Sequence, residues 1–375
     1  MHYLTLSEDL VLNPNYTLKK GRHLADDLNV GQIVTIAGHG RMEPFENLRP
    51  FNDQMDWNGK TILFIRAGGF GDLVLMTPVF REVRRRWPKA VIHVSTMPDY
   101  ATVLQNLNSV DKTVMYPVDA ATLDQYDAIV PFENAVERNP RASKVHMTDL
   151  FAEIAGLQKQ GGLAAFGGHP ALDEKRAEYV VTQNEMIWMI EQYPRVAGKR
   201  RLCIQGGASA RCRVYPGPQL DSVVNELIKK DWEIFLLGKK GEIQGLPDIP
   251  HIHNLTATGA TFRQSCAVLN SADCFIGNDS ALLHVAGALK IPAVGLYGPF
   301  LAELRTKYAE TTFEFQGKGN CTPCFHHVIP ARRNDFPDHC PSKATGSCML
   351  LASIDPKRII QKVEQIAKKF ELQAL

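Results

Sequence analysis

The sequence lacks the features that mark several specialised classes of protein. Its 42 Lys+Arg and 40 Asp+Glu residues leave a formal net charge of only +2. The large cationic excess of a dedicated nucleic-acid binder is therefore missing, and no nucleic-acid partner is predicted. With 22% charged and 45% hydrophobic residues, the composition is also unlike that of an intrinsically disordered chain. An ordinary globular protein is expected.

Long hydrophobic runs are also absent. No stretch approaches the roughly 18 to 20 apolar residues that span a bilayer. The most apolar stretch, residues 285–296, is interrupted by Lys290 and Pro292. The first residues include Glu8 and Asp9, and they lack the basic, apolar and small-residue order of a signal peptide. We therefore expect a soluble, cytoplasmic protein.

Cysteine is scarce, with eight in 375 residues, and this argues against a disulfide scaffold. Four of the cysteines nevertheless cluster: Cys321, Cys324, Cys340 and Cys348. A tight pair followed by a wider pair suits tetrahedral zinc, so a structural zinc site is one interpretation. Free buried thiols, or one or two disulfides, are the alternatives.

The length allows about two to three domains at roughly 150 residues each. From residue 61 onward, short apolar strands alternate with helical stretches such as 73–87, 100–107 and 174–193. This alternation predicts an α/β fold with doubly wound parallel sheets. Because the pattern restarts near residue 200, we predict two Rossmann-like domains with flanking segments. The bounds are 1–59 for an N-terminal extension, 60–195 and 196–355 for the domains, and 356–375 for a C-terminal helix.

The first glycine-rich loop, Gly68–Asp72, follows a buried strand at the place where a dinucleotide fingerprint would lie. The fingerprint fails, because Val74 occupies the position of its third glycine. The next strand, residues 91–95, also ends without the acidic residue that would bind a ribose. A nucleotide-dependent oxidoreductase is therefore disfavoured. Asp72 itself is interpreted either as a helix cap or as a general base.

A second loop, residues 206–216, begins with Gly206 and Gly207 and contains Arg211 and Arg213. Small residues let the backbone approach a ligand, and arginines grip phosphate oxygens in a fork geometry. This pattern predicts a phosphate-binding loop. A solvated loop with unrelated arginines is the alternative.

The third segment opens a helix with Asp279 and Ser280 directly after a strand. The free N–H groups of such a helix start favour an anion, for example a diphosphate. His284 lies one turn later, on the same face as Ser280. We interpret these residues as a diphosphate site, with a packed structural histidine as the alternative for His284.

Together, these segments resemble glycosyltransferase family 9, the lipopolysaccharide heptosyltransferase family. The resemblance runs in order over roughly residues 60–365 and is carried by short motifs: Ile65-Arg66, Gly71-Asp72, Thr77-Pro78, Arg213-x-Tyr215-Pro216, Asp279-Ser280 with His284, and Tyr297-Gly298-Pro299. It implies a GT-B fold, with two Rossmann-like doubly wound domains facing a cleft. It also implies inverting, metal-independent transfer from a nucleoside diphosphate sugar, such as ADP-heptose, to a hydroxyl of a lipopolysaccharide core or another glycan.

The resemblance assigns roles to individual residues. Asp72 matches the catalytic carboxylate, and the acceptor-side loop comprises Arg66, Gly69 and Gly71. The donor diphosphate and nucleotide site comprises seven residues: Gly206, Gly207, Arg213, Asp279, Ser280, Ala281 and His284. Arg213 stands where the family usually has lysine, Ala281 replaces the usual glycine, and Tyr215 replaces the usual tryptophan. No cofactor is required for catalysis, so any zinc would be structural.

The amphipathic helix expected from Pro356 to Phe370 is predicted to pack back toward the first domain, as the last helix of GT-B folds does. Its apolar face carries Ile359, Ile360, Val363, Ile366 and Phe370. Peripheral contact with the inner membrane surface is the alternative. For the whole chain, the alternative to an enzyme is a non-catalytic nucleotide-sugar-binding protein or a zinc-stabilised interaction protein.

Overall fold

A computed structural model describes most of the chain. The described residues are 2–13, 16–18, 20–25, 40–44, 49–133, 135–137, 139–157, 172–243, 249–321, 324, 336 and 340–371. They form two compact units. The first comprises Met1–Ala142 and Met147–Lys175, and the second comprises Ser143–His146 and Arg176–Leu375.

The N-terminal segment is folded into the first unit by antiparallel strands. These strands are β1 (His2–Leu6), β2 (Leu10–Asn13), β3 (Tyr16–Leu18), β4 (Gly21–Ala25) and β5 (Gly40–Pro44). β1 pairs with both β4 and β5, and β2 pairs with β3. β4 also pairs with β9 (Val118–Asp119), which comes from the α/β part of the same unit. The N-terminal segment is therefore hydrogen-bonded to the α/β part of the first unit.

The main sheet of the first unit is parallel, in the order β10-β6-β7-β8. Its strands are β6 (Thr61–Ile65), β7 (Val91–Thr96), β8 (Lys112–Met115) and β10 (Ala128–Pro131). The α-helices among the described residues of this unit are α1 (Phe70–Arg86), α2 (Ala120–Leu123) and α3 (Met147–Ile154). The helix expected at residues 100–107 is a shorter 3-10 helix, Tyr100–Leu104. Strand β6 is a continuous apolar run because helices and loops cover both faces of a parallel sheet. The strand order reverses between β6 and β10, where ligands of such sheets bind.

The sheet of the second unit has six parallel strands in the order β13-β12-β11-β14-β15-β16. The strands are β11 (Arg200–Gln205), β12 (Trp232–Leu237), β13 (Ile252–Asn254), β14 (Cys274–Asn278), β15 (Ala293–Tyr297) and β16 (Thr312–Gln316). Numbered along the chain, this is the 3-2-1-4-5-6 order of a Rossmann fold. Its switch point lies between the carboxyl ends of β11 and β14.

Eight helices accompany this sheet among the described residues. They are α4 (Gln183–Gln192), α5 (Gly217–Ile228), α6 (Leu255–Thr258), α7 (Phe262–Asn270), α8 (Ala281–Ala288), α9 (Glu303–Thr306), α10 (Met349–Ala352) and α11 (Pro356–Glu371). Helix α4 belongs to the second unit, because Arg263 on α7 donates to Glu185 on α4 at 2.7 Å. The division between the units therefore follows Lys175, whereas the sequence placed it after residue 195.

Helix α11 contributes to the core of the second unit. Its apolar side chains, including Ile359, Val363 and Ile366, lie in the core of the second unit with strands β11, β12 and β14. The indole N–H of Trp232 also donates to Glu364 at 3.1 Å. The helix thus packs on the core of its own unit, and its packing back toward the first domain stays a prediction. Of the apolar face that suggested membrane contact, Ile359, Ile360, Val363 and Ile366 are buried in this core.

None of the described helices combines the length and the apolar composition that a membrane span requires.

Candidate functional site

In the first unit, the predicted base lies at the start of α1. Gly69 is the N-cap of this helix, and Asp72 lies in its first turn, one residue after Gly71. Asp72 is therefore not the cap. Gly69 has a φ of +98°, and a Cβ at this position would lie 2.6 Å from a carboxylate oxygen of Asp72. Glycine is required here both by the left-handed backbone and by the close approach of Asp72.

Arg66 anchors this carboxylate. It follows β6 directly and is only 4% exposed. Its Nη2 donates to both Asp72 and Glu137, the latter at 2.6 Å. Its Nε and Nη1 donate to the carbonyl oxygens of Gly68 and Phe132 at 3.0 and 3.1 Å. The guanidinium thus ties the end of β6 to the segment after β10.

The charge of Arg66 is secured by its neighbours. Burial by itself lowers the pKa of a guanidinium, but Asp72, Glu137 and Glu133 together raise the pKa of Arg66 well above its usual value. The carboxylate of Glu133 also accepts from the backbone N–H of Ala67. One buried cation therefore stands among three carboxylates at the switch point of the first sheet. Contact with Arg66 favours the ionised form of Asp72, the form that can accept a proton.

In the second unit, Asn278 at the end of β14 organises the switch point. Its amide nitrogen donates to the carbonyl oxygens of Gly206 and Gly207 at 3.0 and 3.3 Å. Its oxygen accepts from the backbone N–H of Tyr215 at 3.1 Å. Tyr215 in turn donates its hydroxyl to the carbonyl of Ile354 at 2.8 Å. One buried side chain therefore fixes both ends of the loop formed by residues 206–216.

Ser280 is the N-cap of α8, but its hydroxyl makes no capping hydrogen bond. Instead, Gln205 at the end of β11 donates to the Ser280 Oγ at 3.0 Å. This leaves the Ser280 hydroxyl hydrogen available for an acceptor such as a phosphate oxygen. Ala281 is the first residue of α8, so the backbone N–H groups of this helix start at the switch point.

Arg213, in the loop formed by residues 206–216, also lies at the start of α8. Its Nη1 donates to the carbonyl of Asp279 at 3.2 Å, and its Nη2 donates to Ser209. Its Nη1 also lies 3.8 Å from the Asp279 carboxylate. The Arg213 guanidinium is thus placed beside the start of α8. An anionic ligand bound there would meet both this cation and the free backbone N–H groups of the helix start.

His284 lies behind this helix start. Burial lowers its pKa to about 4, outweighing the opposite effect of Asp279, while Arg305 and Arg213 lower it further. Its Nε2 is 3.8 Å from Asp279. The imidazole is therefore neutral near neutral pH, and it can donate or accept a hydrogen bond without adding charge.

Glu242 was not predicted from the sequence. It follows β12 closely, and its carboxylate accepts from the backbone N–H of Lys239 at 2.9 Å. A Cβ on Gly207 would lie 1.9 Å from the Glu242 carboxyl carbon, so the two residues are in contact. Burial raises the pKa of Glu242. An acidic residue after the second strand of a Rossmann unit is the usual ribose ligand.

The structure thus groups the predicted residues within each unit. Arg66, Gly69, Gly71 and Asp72 lie together in the first. Gly206, Gly207, Arg213, Asp279, Ser280, Ala281 and His284 surround the switch point of the second. The residues that sequence reasoning missed are Gln205, Asn278, Glu242, Glu133 and Glu137. All are polar residues at or after the end of a buried strand, but the sequence alone does not show which of these strands are neighbours.

Three of the clustered cysteines contact the core of the second unit. Cys348 is buried in that core, and Cys321 and Cys340 pack against it. No disulfide joins these four cysteines. No group of three or more potential ligands is arranged to hold a metal within the described residues. Most of the segment between Cys324 and Cys340 lies outside those residues, so the zinc interpretation stays a prediction.

The chain is similar in structure to several solved proteins. The chain is similar to Escherichia coli ADP-heptose lipopolysaccharide heptosyltransferase II, with 16% identity, 83% of this chain and 99% of that chain covered, and a TM-score of 0.60. A family 9 glycosyltransferase from Veillonella parvula matches with 12% identity, coverage of 84% and 99%, and a TM-score of 0.59. The iron-containing dodecameric glycosyltransferase TibC from enterotoxigenic E. coli matches with 12% identity, coverage of 98% and 92%, and a TM-score of 0.57. No curated protein sequence matches the chain.

The two Rossmann-like units and these likenesses define the GT-B fold class. The family model described as glycosyltransferase family 9 (heptosyltransferase) matches residues 124–332, more than half of the chain. The chain belongs to glycosyltransferase family 9.

Proposed function

We propose that the protein transfers a sugar from a nucleoside diphosphate donor to a hydroxyl acceptor, with inversion at the anomeric carbon. The observation that carries this proposal is Asp72, which an ion pair with the buried Arg66 holds in the first turn of α1. The donor-binding part rests on the switch point of the second unit, with Arg213 beside the start of α8. No metal ion takes part in the proposed reaction.

The donor diphosphate would bind at the start of α8. There the backbone N–H groups, the Ser280 hydroxyl and the Arg213 guanidinium supply donors and positive charge. The carboxyl group of Asp279 lies 3.8 Å from the Arg213 guanidinium at the same place. Neutral His284 would add a hydrogen bond with no further charge.

Glu242 would accept hydrogen bonds from the ribose hydroxyls of the nucleotide. Its contact with Gly207 puts it beside the start of the loop formed by residues 206–216. A carboxylate here favours a ribose with free hydroxyls and disfavours a ribose that carries a phosphate. ADP-heptose is the first donor to test, because TibC is described in complex with ADP-D-beta-D-heptose.

The chemical step follows from these positions. Asp72 would remove the proton from the acceptor hydroxyl as its oxygen attacks the anomeric carbon. The bond between that carbon and the diphosphate oxygen would break, and the diphosphate would leave with the electron pair. Arg213 and the start of α8 would stabilise the charge that develops on the leaving oxygen. The acceptor is proposed to be a sugar hydroxyl of a lipopolysaccharide core or another glycan.

A screen of nucleotide sugars tests this proposal. We expect ADP-heptose or a related nucleoside diphosphate sugar to raise the melting temperature, while nicotinamide dinucleotides leave it unchanged. Products formed with candidate glycan acceptors would be identified by mass spectrometry, and their anomeric configuration by NMR. A β-linked donor should give an α-linked product. Retention of the β configuration, or absence of transfer from every donor that binds, would contradict the proposal.

We also propose that Cys321, Cys324, Cys340 and Cys348 hold a structural metal ion. Four thiolates are a complete ligand set for tetrahedral zinc or iron, and three of these cysteines pack on one core. The related TibC is described as iron-containing. The ion would join the ends of this segment and take no part in the transfer.

Metal analysis of the purified protein tests this second proposal. We expect about one zinc or iron ion per chain, lost in Cys324→Ser and retained in the control Cys203→Ser, whose cysteine lies within β11. An absorption band of a ferric thiolate would identify iron. A metal-free protein with unchanged melting temperature after chelator treatment would contradict the site.

A further inference from the structure

Glu137 is a charged residue at the first unit's switch point to which nothing above assigns a role. It comes from the segment after β10 and contacts Arg66 through both carboxylate oxygens, at 2.6 and 3.3 Å. The Arg66 nitrogen at 2.6 Å is the same Nη2 that donates to Asp72. Asp72 therefore does not hold the arginine alone. Two carboxylates share one guanidinium.

The shared guanidinium affects two properties that the proposed mechanism requires of Asp72, a fixed position and sufficient basicity. A contact with arginine fixes the position of a carboxylate, but it also stabilises the carboxylate's ionised form and weakens it as a proton acceptor. A general base needs both a fixed position and enough basicity to take the proton of a hydroxyl. A second carboxylate on the same guanidinium spreads its positive charge over two partners, and it also repels the first carboxylate. Both effects restore basicity.

We propose that Glu137 is a positioning residue that offsets the charge of Arg66, so that Asp72 is held in place and still accepts a proton effectively. This inference rests on the proposed function of Asp72 as the base. Glu137 itself touches neither the acceptor nor the donor in this account. It acts only through Arg66.

The other charged and titratable groups near Arg66 and Asp72 make different contacts. Glu133 contributes charge near Arg66, but its carboxylate is bonded to the backbone N–H of Ala67. Tyr100 packs against Phe70 and next to Gly68. Helix α3, which packs on α1, carries Asp149, and this residue is paired with Lys175 at 2.8 Å. Of these groups, only Glu137 shares a nitrogen of Arg66 with Asp72.

The test is the pH dependence of kcat/KM for the acceptor at saturating donor. Removing the negative charge in Glu137→Gln should favour the ionised form of Asp72. The acid limb should therefore move to lower pH, by on the order of one pH unit. The plateau should fall several-fold, because a weaker base transfers the proton less readily. Glu137→Asp keeps the charge and should return the limb toward that of the unaltered protein.

Controls separate this role from a structural one. Glu153→Gln breaks another Arg–Glu pair of the same unit, between Arg141 and Glu153 at 2.5 Å, and should leave the limb in place. If Glu137→Gln does not fold, Glu137→Ala removes the same charge and should shift the limb in the same direction. A lower plateau with an unmoved acid limb would overturn the inference, because it would show structural damage only.

Asp72→Asn in the same assay distinguishes a failure of the proposed function from a failure of the role given to Glu137. If Asp72→Asn retains turnover and the acid limb, Asp72 is not the base, and both the proposed function and this inference fail. If Asp72→Asn is inactive while Glu137→Gln keeps the original limb, the base assignment stands and only the role of Glu137 is rejected.

Discussion

At the scale of single residues, each unit contains a polar cluster whose parts come from distant positions in the sequence. Arg66 and Glu137 meet because their parent strands, β6 and β10, are adjacent in the sheet. Asn278 meets the glycine loop because β14 lies beside β11. Single substitutions at these positions have effects that can be separated into stability, binding and chemistry.

Gly69→Ala should reduce both stability and transfer. The positive φ of Gly69 is unfavourable for alanine, at a cost of about 1 to 2 kcal/mol, and the new Cβ would also displace the Asp72 carboxylate. Gly59 is a matched control, because its φ is +76° but no atom lies within 4 Å of a Cβ built there. Gly59→Ala should lower the melting temperature with kcat unchanged. Equal kcat losses in both variants would argue against the positioning of Asp72 by Gly69.

Arg213→Ala should lower kcat more than it raises the KM of the donor. Its charge matters most when the diphosphate leaves, and the loss of one such group typically costs about 10²- to 10³-fold in kcat. Arg211 is the control from the same loop, since it donates to the carbonyl of Gly346. Steady-state kinetics of both alanine variants check this. An unchanged kcat in Arg213→Ala would remove the residue from leaving-group stabilisation.

His284 should make the protein less stable in mild acid. Its folded-state pKa of about 4 lies below the ordinary value of 6.5, so the unfolded chain binds the proton more readily. The stabilisation is complete above pH 6.5 and is lost as the pH falls toward 4, by up to about 3 kcal/mol. Urea denaturation across this range should show a smaller decrease for His284→Gln. An equal decrease in the variant would contradict this assignment.

At the scale of secondary structure elements, the sequence predicted buried elements best. The strand predicted at residues 91–95 and the helix predicted at residues 73–87 are observed as β7 and α1, within three residues of the predicted bounds, because apolar runs define them. The half-exposed edge strand β16 was missed, since its outer side chains follow no apolar run. Helix α4 was predicted to begin near residue 174 but begins at Gln183, where Thr182 and Glu185 form a capping box. That start signal is visible in the sequence.

The site was predictable to a similar extent. The loops after β6, β11 and β14 could be identified because glycines and short motifs mark them. The partners that complete each loop, such as Glu137 and Glu242, could not, because their relevance depends on which strands are neighbours and on how loops fold over them. The packing of α11 was also beyond the sequence. An apolar helix face predicts burial but does not state against which unit.

Helix α11 gives a prediction at this scale. Ile359 is fully buried in the core of the second unit, so Ile359→Ala should destabilise that unit by about 2 to 5 kcal/mol. Lys357→Ala, at an exposed position of the same helix, should have little effect. Thermal unfolding followed together with nucleotide protection would check this. A destabilisation confined to the first unit would contradict the observed packing.

At the scale of the whole molecule, the proposed reaction is divided between the two units. In this proposal the first unit supplies the proton acceptor, and the second supplies the diphosphate site. Residues 124–332, matched by the family model, include the donor-binding residues of the second unit, while Asp72 lies outside that range. The division predicts that donor binding and proton removal can be lost independently.

The most direct test is Asp72→Asn, measured for donor affinity and for transfer on the same preparation. The account predicts that calorimetry with the best donor from the screen gives a Kd within about threefold of the unaltered protein. It also predicts that transfer falls by at least about 10²-fold, as expected for loss of a general base. Asp53→Asn, which breaks the Asp53–Arg86 pair of the same unit, should retain transfer. Substantial transfer by Asp72→Asn would contradict the central claim.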